Sequence, residues 1–350
     1  MPVLERQSAN ASPKSDAPNG RRRVATSFDI IVPCYGYGRF LRECVLSVLN
    51  QPVQNLRVLI IDDASPDNTA DVATDLAKSD SRVTFIAHPK NKGHVATYNE
   101  GIEWASADYM MILSADDYLL PGALGRAAEI MDAHPEVGLT FGKAIVLDDR
   151  GSTADMRSLG SKNAWRILAG LDFIQLSGGR NIVDTPSAVV RTALQQRLGG
   201  YRPELPHTGD MEMWLRFAAH SSVGITEAYQ AVYRRHSKNM SLAYMGKSWL
   251  PDLKEREAAL DSFFRSCSDV LPNAAELRGK LVQSLAAEAV SFASWAFNAG
   301  ENEASTQLSD YAVSLYPGVR SSWRWMKLSC KRRLGLRAWR ALQSAVARIR

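Results

Sequence analysis

The chain has 350 residues, of which 45% are apolar, so it exceeds one typical domain and we expect a main domain with an appendage. No stretch approaches the roughly eighteen consecutive apolar residues of a transmembrane helix, and residues 1–23 lack the apolar segment of an export signal. We therefore expect a cytoplasmic protein, and its four cysteines, which lack metal-ligand spacing, fit a reducing compartment. The net charge is +5, but residues 320–350 contain ten Lys and Arg and no Asp or Glu, so the basic charge belongs to this segment.

Short apolar runs alternate with amphipathic segments after a polar start. Residues 1–25 are rich in Ser, Ala, Pro and Asn and are predicted to be disordered. Strand-length apolar runs and helical periodicity then alternate, with strands predicted at 28–33, 58–61, 83–86 and 109–113 and helices at 41–49, 69–79 and 95–105. This alternation predicts a mostly parallel central sheet with helices on both faces.

Polar side chains follow three of the predicted strands, at Tyr35, at Asp62-Asp63 and at Asp116-Asp117. The carboxyl ends of parallel strands meet at one edge of a sheet, where ligands of such sheets bind, so one nucleotide-sized ligand is expected to reach all three positions. A nicotinamide-binding unit is the alternative for this half. Gly36 and Gly38 lack the third glycine of that fingerprint.

The adjacent carboxylates of Asp116 and Asp117 indicate a bound cation. Neighbouring carboxylates repel unless a cation or a proton lies between them, and oxygen ligands favour a divalent ion such as Mg²⁺ or Mn²⁺ completed by substrate phosphates and water. The alternative is a solvated turn, because Pro121-Gly122 follows closely.

Four segments, in order and at matching spacing, resemble the motifs of the family 2 glycosyltransferases with the A-type nucleotide-diphospho-sugar transferase fold. They are Asp29 to Tyr35, Ile60 to Ser65, Asn91-Lys92-Gly93 with Asn99 to Ile102, and Ser114 to Asp117. The resemblance continues through the acceptor half, at Pro186 to Arg191, Leu198 to Tyr201, Gly209 to Arg216, Tyr233 to His236 and Ser241. It implies an A-type domain over 26–250, with a nucleotide-sugar half (26–142) and an acceptor half (143–250).

The resemblance also implies roles for individual residues on the donor side. Asp117 would ligate the divalent cation, Asp116 would contact the ribose or a metal-bound water, and His236 would reach the metal or the diphosphate. The nucleoside and diphosphate would be bound by a further set, which comprises Pro33, Tyr35, Asp63, Lys92 and Asn99.

The catalytic base that the resemblance implies is Asp210, with Glu212 as the reserve. If 210–219 is a helix, Asp210 lies in its first turn, where the helix dipole favours an ionised carboxylate ready to accept a proton. The alternative is a helix N-cap. Many family members have Glu-Asp where this chain has Gly209-Asp210.

Residues 251–350 are rich in helix formers and are predicted to be a helical extension. Residues 296–317 resemble half of a tetratricopeptide-type hairpin, which we expect to pack against the transferase; docking another protein is the alternative. In 334–350, a helix would place Leu336, Trp339, Leu342, Val346 and Ile349 opposite Arg333, Arg337, Arg340 and Arg348. This pattern predicts adsorption to the anionic inner face of the plasma membrane, against the alternative of a final core helix; no nucleic-acid partner is expected.

Taken together, these features predict an inverting, metal-dependent hexosyltransferase that moves a sugar from a nucleotide-diphospho-sugar to a glycan or lipid-linked acceptor in cell-surface polysaccharide synthesis. One alternative is a nucleotidyltransferase, which needs a glycine-rich basic phosphate loop where residues 34–40 offer only Arg39. The other alternative is a non-catalytic protein that binds a nucleotide-sugar or docks a partner through its helices.

Overall fold

The computed structural model describes residues 26–148, 151–152, 164–237, 239 and 249–347. The strands are β1 (Ser27–Cys34), β2 (Asn55–Asp62), β3 (Val83–Ala87), β4 (Tyr109–Ile112), β5 (Tyr118–Leu119), β6 (Val137–Asp148), β7 (Gly151–Ser152), β8 (Trp165–Leu168), β9 (Val189–Arg191) and β10 (Ser222–Arg234). The helices are α1 (Gly38–Leu49), α2 (Thr69–Ser79), α3 (His94–Trp104), α4 (Ala123–Ala133), α5 (Gly170–Ser177), α6 (Thr192–Leu198), α7 (Gly209–His220), α8 (Leu250–Cys267), α9 (Ala274–Ala299), α10 (Asn302–Leu315) and α11 (Trp323–Ala347). Residues 1–25 and Ser241, on which predictions were made, lie outside the described residues.

One mixed sheet organises the described residues, in the order β3-β2-β1-β4-β9-β6-β10-β5, with β7 on β6 and β8 on β10. The pairs β1–β2, β1–β4, β2–β3 and β6–β10 are parallel, whereas the short strands β5, β7, β8 and β9 pair antiparallel. The predicted α/β fold with a mostly parallel sheet is therefore confirmed.

Alternation along β1 explains why helices cover both faces of the sheet. Ile30 and Val32 enter one core cluster with α1, α2 and α4, whereas Ile31 enters a second cluster with α3 and the later helices. All three are fully buried, and burying such a side chain contributes about 1.5–3 kcal/mol. A strand that contributes to two cores is largely apolar, which is why the sequence contains an apolar run from Ile30 to Val32. The buried Asp29 beside this run is paired with Arg57 at 2.6 Å.

The helical extension shares its core with the sheet. The second cluster runs from Ile31 through Trp214 of α7 to Leu260 of α8 and Val290 of α9. The extension therefore packs against the α/β half, as expected.

The last helix differs from its prediction. Gly335 in α11 has φ 77° and ψ 157°, a conformation that is essentially restricted to glycine, so the predicted uninterrupted helix from 334 is wrong at its first turn. Leu336, expected on an exposed apolar face, packs against the core, and Arg340 donates to the Asn298 carbonyl of α9 at 2.8 Å. The side chains at 342–350 lie outside the description. Among the described helices, each one is too short or too polar to cross a bilayer.

Candidate active site

The carboxylates of Asp116 and Asp117 lie just beyond the carboxyl end of β4, as predicted. A tight turn, in which the Asp117 N–H donates to the Ser114 carbonyl at 2.9 Å, fixes both residues. Their exposures are only 4% and 3%, so the alternative of a solvated turn does not describe this pair.

Asp116 and Asp117 share a cavity of about 370 Å³ with Asp210. Asp210 comes from the first turn of α7, so the cavity lies between the end of β4 and the start of that helix. Tyr37 and Tyr98 also line it. The structure thus brings together two carboxylate groups that the sequence places about a hundred residues apart.

Few charged groups balance the aspartate pair. The Asp116 carboxylate is 3.1 Å from His236 Nε2, and Asp117 accepts a hydrogen bond from the Arg234 N–H at 2.8 Å. Burial raises the pKa of both carboxyls, and the charge of Asp116 raises the pKa of Asp117 further. Asn239 also donates to Asp116, at 3.3 Å. An additional positive charge beside the two carboxylates would therefore stabilise their ionised forms.

His236 is held beside this pair by aromatic rings. Its imidazole stacks on Phe40 at 5.4 Å and meets the edge of Tyr37 at the same distance. His236 thus lies beside the aspartate pair, and its contact with a metal or a diphosphate stays a prediction.

Asp116 and Asp117 could bind a divalent cation whose other ligands come from the substrate and water. In the described ranges, no group of three or more His, Cys, Asp or Glu side chains is arranged to hold a metal alone. Mg²⁺ is usually bound by one or two carboxylates plus substrate phosphates and water, which matches two buried carboxylates at a cavity.

Asp210 is not the N-cap of its helix. Thr208 occupies that position, and the Asp210 carboxylate instead accepts hydrogen bonds from Thr185 Oγ1 at 3.0 Å and from the Tyr201 hydroxyl. Burial raises the pKa of Asp210 despite these hydrogen bonds and despite its place in the first helical turn. A raised pKa favours proton acceptance, so burial outweighs the helix-dipole effect that the sequence suggested.

Glu212, the reserve base, belongs to a structural ion-pair cluster. It is fully buried, and its two oxygens accept from Arg202 Nε at 2.7 Å and from Arg216 Nε at 2.8 Å. Arg216 in turn donates to the carbonyls of Leu198 and Gly200. Glu212 therefore ties α7 to the segment before it and does not line the cavity.

Asp63 organises the loop that leads into α3. Its carboxylate is 2.8 Å from His88 Nδ1 and accepts from the N–H groups of Lys92 at 2.7 Å and Gly93 at 2.9 Å. Burial raises the pKa of Asp63, but these hydrogen bonds dominate and lower it. The Lys92 ammonium points to Glu100 at 2.8 Å.

The other predicted donor residues divide into two groups. Pro33 is the penultimate residue of β1 and Tyr35 is exposed just beyond the strand, and the Asp63 N–H donates to the Cys34 carbonyl between them at 2.9 Å. Asn99, in contrast, uses both ends of its amide on the Tyr201 backbone, at 2.9 and 2.7 Å. Asn99 therefore joins the two halves, which a local motif could not reveal.

Sequence reasoning missed several cavity residues. Tyr98 shares a hydrogen bond with Ser114, and burial together with the charges of Asp210, Asp116 and Asp117 raises its pKa. Its ring meets that of Tyr201 edge-on at 5.3 Å. Thr185, Tyr201, Arg234 and Asn239 were also missed.

Comparison with known proteins places residues 29–187 within the model of glycosyl transferase family 2. The match covers a little less than half of the chain and makes this part of it similar to the family 2 glycosyltransferases. An uncharacterized glycosyltransferase of Haemophilus influenzae is 34% identical over 29% of this chain and 41% of its own length, and the uncharacterized glycosyltransferase EpsJ of Bacillus subtilis is 34% identical over 29% of each chain. The chain thus spans less than half of the length of these relatives.

A solved structure is similar to this chain in fold. S. aureus TarS 1-349, solved in complex with UDP-GlcNAc, superposes with a TM-score of 0.55 over 85% of this chain and 92% of that one, at 16% identity. The expected A-type glycosyltransferase fold followed by helices is confirmed.

The helical extension contacts the segment that leads into α7. His207 Nε2, beside α7, is 2.9 Å from an Asp252 oxygen of α8, and Thr208 Oγ1 donates to the Glu255 carbonyl at 3.0 Å. Arg256, 7% exposed, contacts Asp252 at 3.2 Å and donates to the Gly179 carbonyl at 3.0 Å. The extension therefore fixes the start of the helix that carries Asp210.

Proposed function

We propose that this protein is an inverting, divalent-metal-dependent glycosyltransferase that moves a hexose from a nucleotide-diphospho-sugar to a hydroxyl of a glycan or lipid-linked acceptor. One observation carries the proposal: the buried Asp116-Asp117 pair and the buried Asp210 line one cavity from different sides. The family 2 domain supports the class of reaction. Assembly of cell-surface polysaccharide is the role that the motif resemblance implies.

The aspartate pair would receive the diphosphate end of the donor. A divalent ion bound there by Asp117 would neutralise the charge on the leaving diphosphate. His236, between the rings of Phe40 and Tyr37, would contact the ion or the diphosphate, and Asp116 would orient His236 while facing the ribose. The backbone of Arg234 holds one Asp117 oxygen, which fixes the carboxylate before the donor arrives.

Asp210 would act on the acceptor. Its carboxylate takes the proton of the acceptor hydroxyl while the hydroxyl oxygen bonds to the anomeric carbon, and the sugar–phosphate bond breaks with its electron pair on the diphosphate. Thr185 and Tyr201 orient the carboxylate through their hydroxyls. Inversion is what the motif resemblance implies, and it requires the acceptor oxygen to attack the anomeric carbon on the face opposite the leaving diphosphate.

The nucleoside would bind along the ends of β1 and β2. Tyr35 is half exposed beside Asp63, whose carboxylate accepts hydrogen bonds, and Pro33 completes this edge. Lys92, currently paired with Glu100 at the surface, would turn towards the diphosphate. Asn99 has a supporting role, because it positions Tyr201. The TarS complex with UDP-GlcNAc makes UDP-sugars the first donors to test.

The test is a panel of nucleotide-sugars with Mn²⁺, read by release of nucleoside diphosphate. We expect release with at least one donor, loss in excess chelator, and loss in Asp117→Ala. A nucleotidyltransferase would instead release pyrophosphate from a nucleoside triphosphate and a sugar phosphate. Full turnover in chelator would contradict metal dependence, and an α-anomeric product from an α-linked donor would contradict inversion.

A further inference from the structure

The first part of α11 presents an exposed face of mixed apolar and basic character. Trp323, Met326, Cys330 and Leu334 recur at intervals of three and four residues, which places them on one side of a helix. Trp323 is 73% exposed, Met326 51% and Leu334 47%, and Lys327 and Arg333 are exposed on the same side. We name these six residues the α11 outer face. It concentrates apolar surface that elsewhere in the described chain occurs mostly as single residues.

The opposite side of this helix segment is firmly attached to the protein. Leu328 is 1% exposed in the main core, and Lys331 Nζ donates to Ser294 Oγ at 2.7 Å on α9. Arg332 donates to the Ser305 carbonyl at 2.7 Å and to Ser309 Oγ at 2.8 Å on α10. The helix therefore has a fixed rotation, and the exposure of its outer face is not a consequence of loose packing.

The charge of the segment that carries this face is of one sign. Residues 320–350 contain no acidic side chain, and two basic residues, Lys331 and Arg332, are turned inward. The exposed basic residues, including Lys327 and Arg333, flank Trp323, Met326 and Leu334. This arrangement is typical of helices that lie in the headgroup layer of an anionic bilayer. Trp prefers such boundaries because its ring is apolar and its N–H is polar. A second copy of this face would bring like charges together.

We propose that the α11 outer face docks the protein on an anionic lipid bilayer. The apolar side chains lie among the headgroups, and Lys327 and Arg333 contact lipid phosphates. Gly335 ends the face, because the chain changes direction there and Leu336 returns to the core. The docking surface is thus 323–334 and not the 334–350 helix that the periodicity of the sequence suggested.

The test is co-sedimentation with vesicles of phosphatidylcholine, with and without phosphatidylglycerol, at low and high salt. The triple variant Trp323→Ser/Met326→Ser/Leu334→Ser should lose binding to anionic vesicles. The matched control changes three exposed apolar residues elsewhere, Leu46→Ser/Leu176→Ser/Val270→Ser, and should bind as the unmodified protein does.

A charge variant tests the electrostatic part separately and leaves the apolar side chains in place. Each Lys or Arg near the surface contributes about 1 kcal/mol, which corresponds to about fivefold in partitioning. Lys327→Gln/Arg333→Gln should therefore bind roughly 25-fold more weakly, and high salt should reduce this difference.

Cys330 provides a direct probe of insertion. It is exposed, whereas Cys34, Cys44 and Cys267 are buried, so an environment-sensitive fluorophore labels it selectively. Its emission should shift to the blue with anionic vesicles and not with phosphatidylcholine alone. Equal binding of the triple variant and the control, or equal binding to neutral vesicles, would overturn the proposal. A concentration-dependent dimer that only the triple variant lacks would assign the face to a second copy and would also overturn it.

Discussion

Replacing Asp210 by Asn removes the proposed base while keeping its size. The Asn oxygen can still accept the hydrogen bonds from Thr185 and Tyr201, so the site keeps its shape. A general base typically contributes 10²–10⁴-fold, and we expect a loss of about that size in kcat with little change in the KM for the donor. Because burial raises the pKa of Asp210, its ionised form opposes folding at neutral pH, and Asp210→Asn should unfold at the same or a higher temperature.

Glu212 supplies the matched control, a buried carboxylate only two residues away. Its partner Arg216 has a side chain that is 4% exposed, so Glu212→Gln leaves a buried guanidinium without its counter-charge. Breaking a buried pair in this way costs about 3–5 kcal/mol. The pair with Arg202, 32% exposed, adds little. Glu212→Gln should therefore unfold at a clearly lower temperature, with a kcat per folded molecule close to that of the unmodified protein.

The assay combines nucleotide release with thermal unfolding followed by circular dichroism. Asp210→Asn should lower kcat without lowering the unfolding temperature, whereas Glu212→Gln should lower the unfolding temperature without lowering kcat per folded molecule. The opposite result, a fully stable Glu212→Gln with crippled turnover beside an active Asp210→Asn, would refute the assignment of both residues. Loss of both properties in both variants would mean that α7 acts only as a structural unit.

Three further changes test the remaining parts of the site. Thr185→Val removes a hydrogen bond that lowers the pKa of Asp210, so the acid limb of the kcat profile should move to higher pH, whereas Thr185→Ser should keep the limb in place. Asp117→Ala should abolish the Mn²⁺-dependent increase in nucleotide affinity measured by calorimetry; an unchanged increase would contradict its role as a ligand. Arg256→Met breaks a buried contact between α8 and the acceptor half, so both unfolding temperature and turnover should fall; wild-type turnover with lowered stability would show that α8 only stabilises.

The first four strands could be predicted because their signal is local. A strand buried on both faces needs apolar residues at nearly every position, and β1, β2 and β4 meet that condition closely enough to give a visible run. β3, at the edge of the sheet, is only partly buried but is still largely apolar. Their observed bounds differ from the predicted ones by at most three residues. The paired carboxylates could also be recognised locally, because two charged residues closely follow an apolar run.

The later half could not be predicted in the same way because its contacts are distant in sequence. The oxygens of Asp210 and Glu212 differ in function only through their partners, and those partners are Thr185 and Tyr201 in one case and Arg202 and Arg216 in the other. Asn99 matched a donor motif, yet its amide binds the backbone 102 residues away. The residue type alone does not show whether a carboxylate or an amide lines the cavity or makes a structural contact.

The error at the C-terminal helix has a different origin. A single glycine within a helical pattern usually predicts a weakened helix, at a cost of about 1 kcal/mol. Gly335 instead adopts a conformation that other residues rarely reach, and the helix is interrupted there. Beyond it the apolar and basic side chains still divide as the pattern predicted, because Leu336 and Trp339 are half-buried and Arg337 and Arg340 are exposed. The pattern could not show that Leu336 packs against the core of this protein.

The helical extension joins the two proposals made for this protein. On one side α8 holds the start of α7, and with it Asp210; on the other, α9 and α10 hold the α11 outer face through Lys331 and Arg332. All of these helices share one continuous core, so bilayer docking would restrict the orientation of the cleft without changing its geometry. Anionic vesicles should then raise the rate with a lipid-linked acceptor, by raising its local concentration, and leave the rate with a water-soluble acceptor unchanged. Acceleration with both acceptors would mean that the membrane acts on the site itself, through a flexibility that this shared core does not suggest.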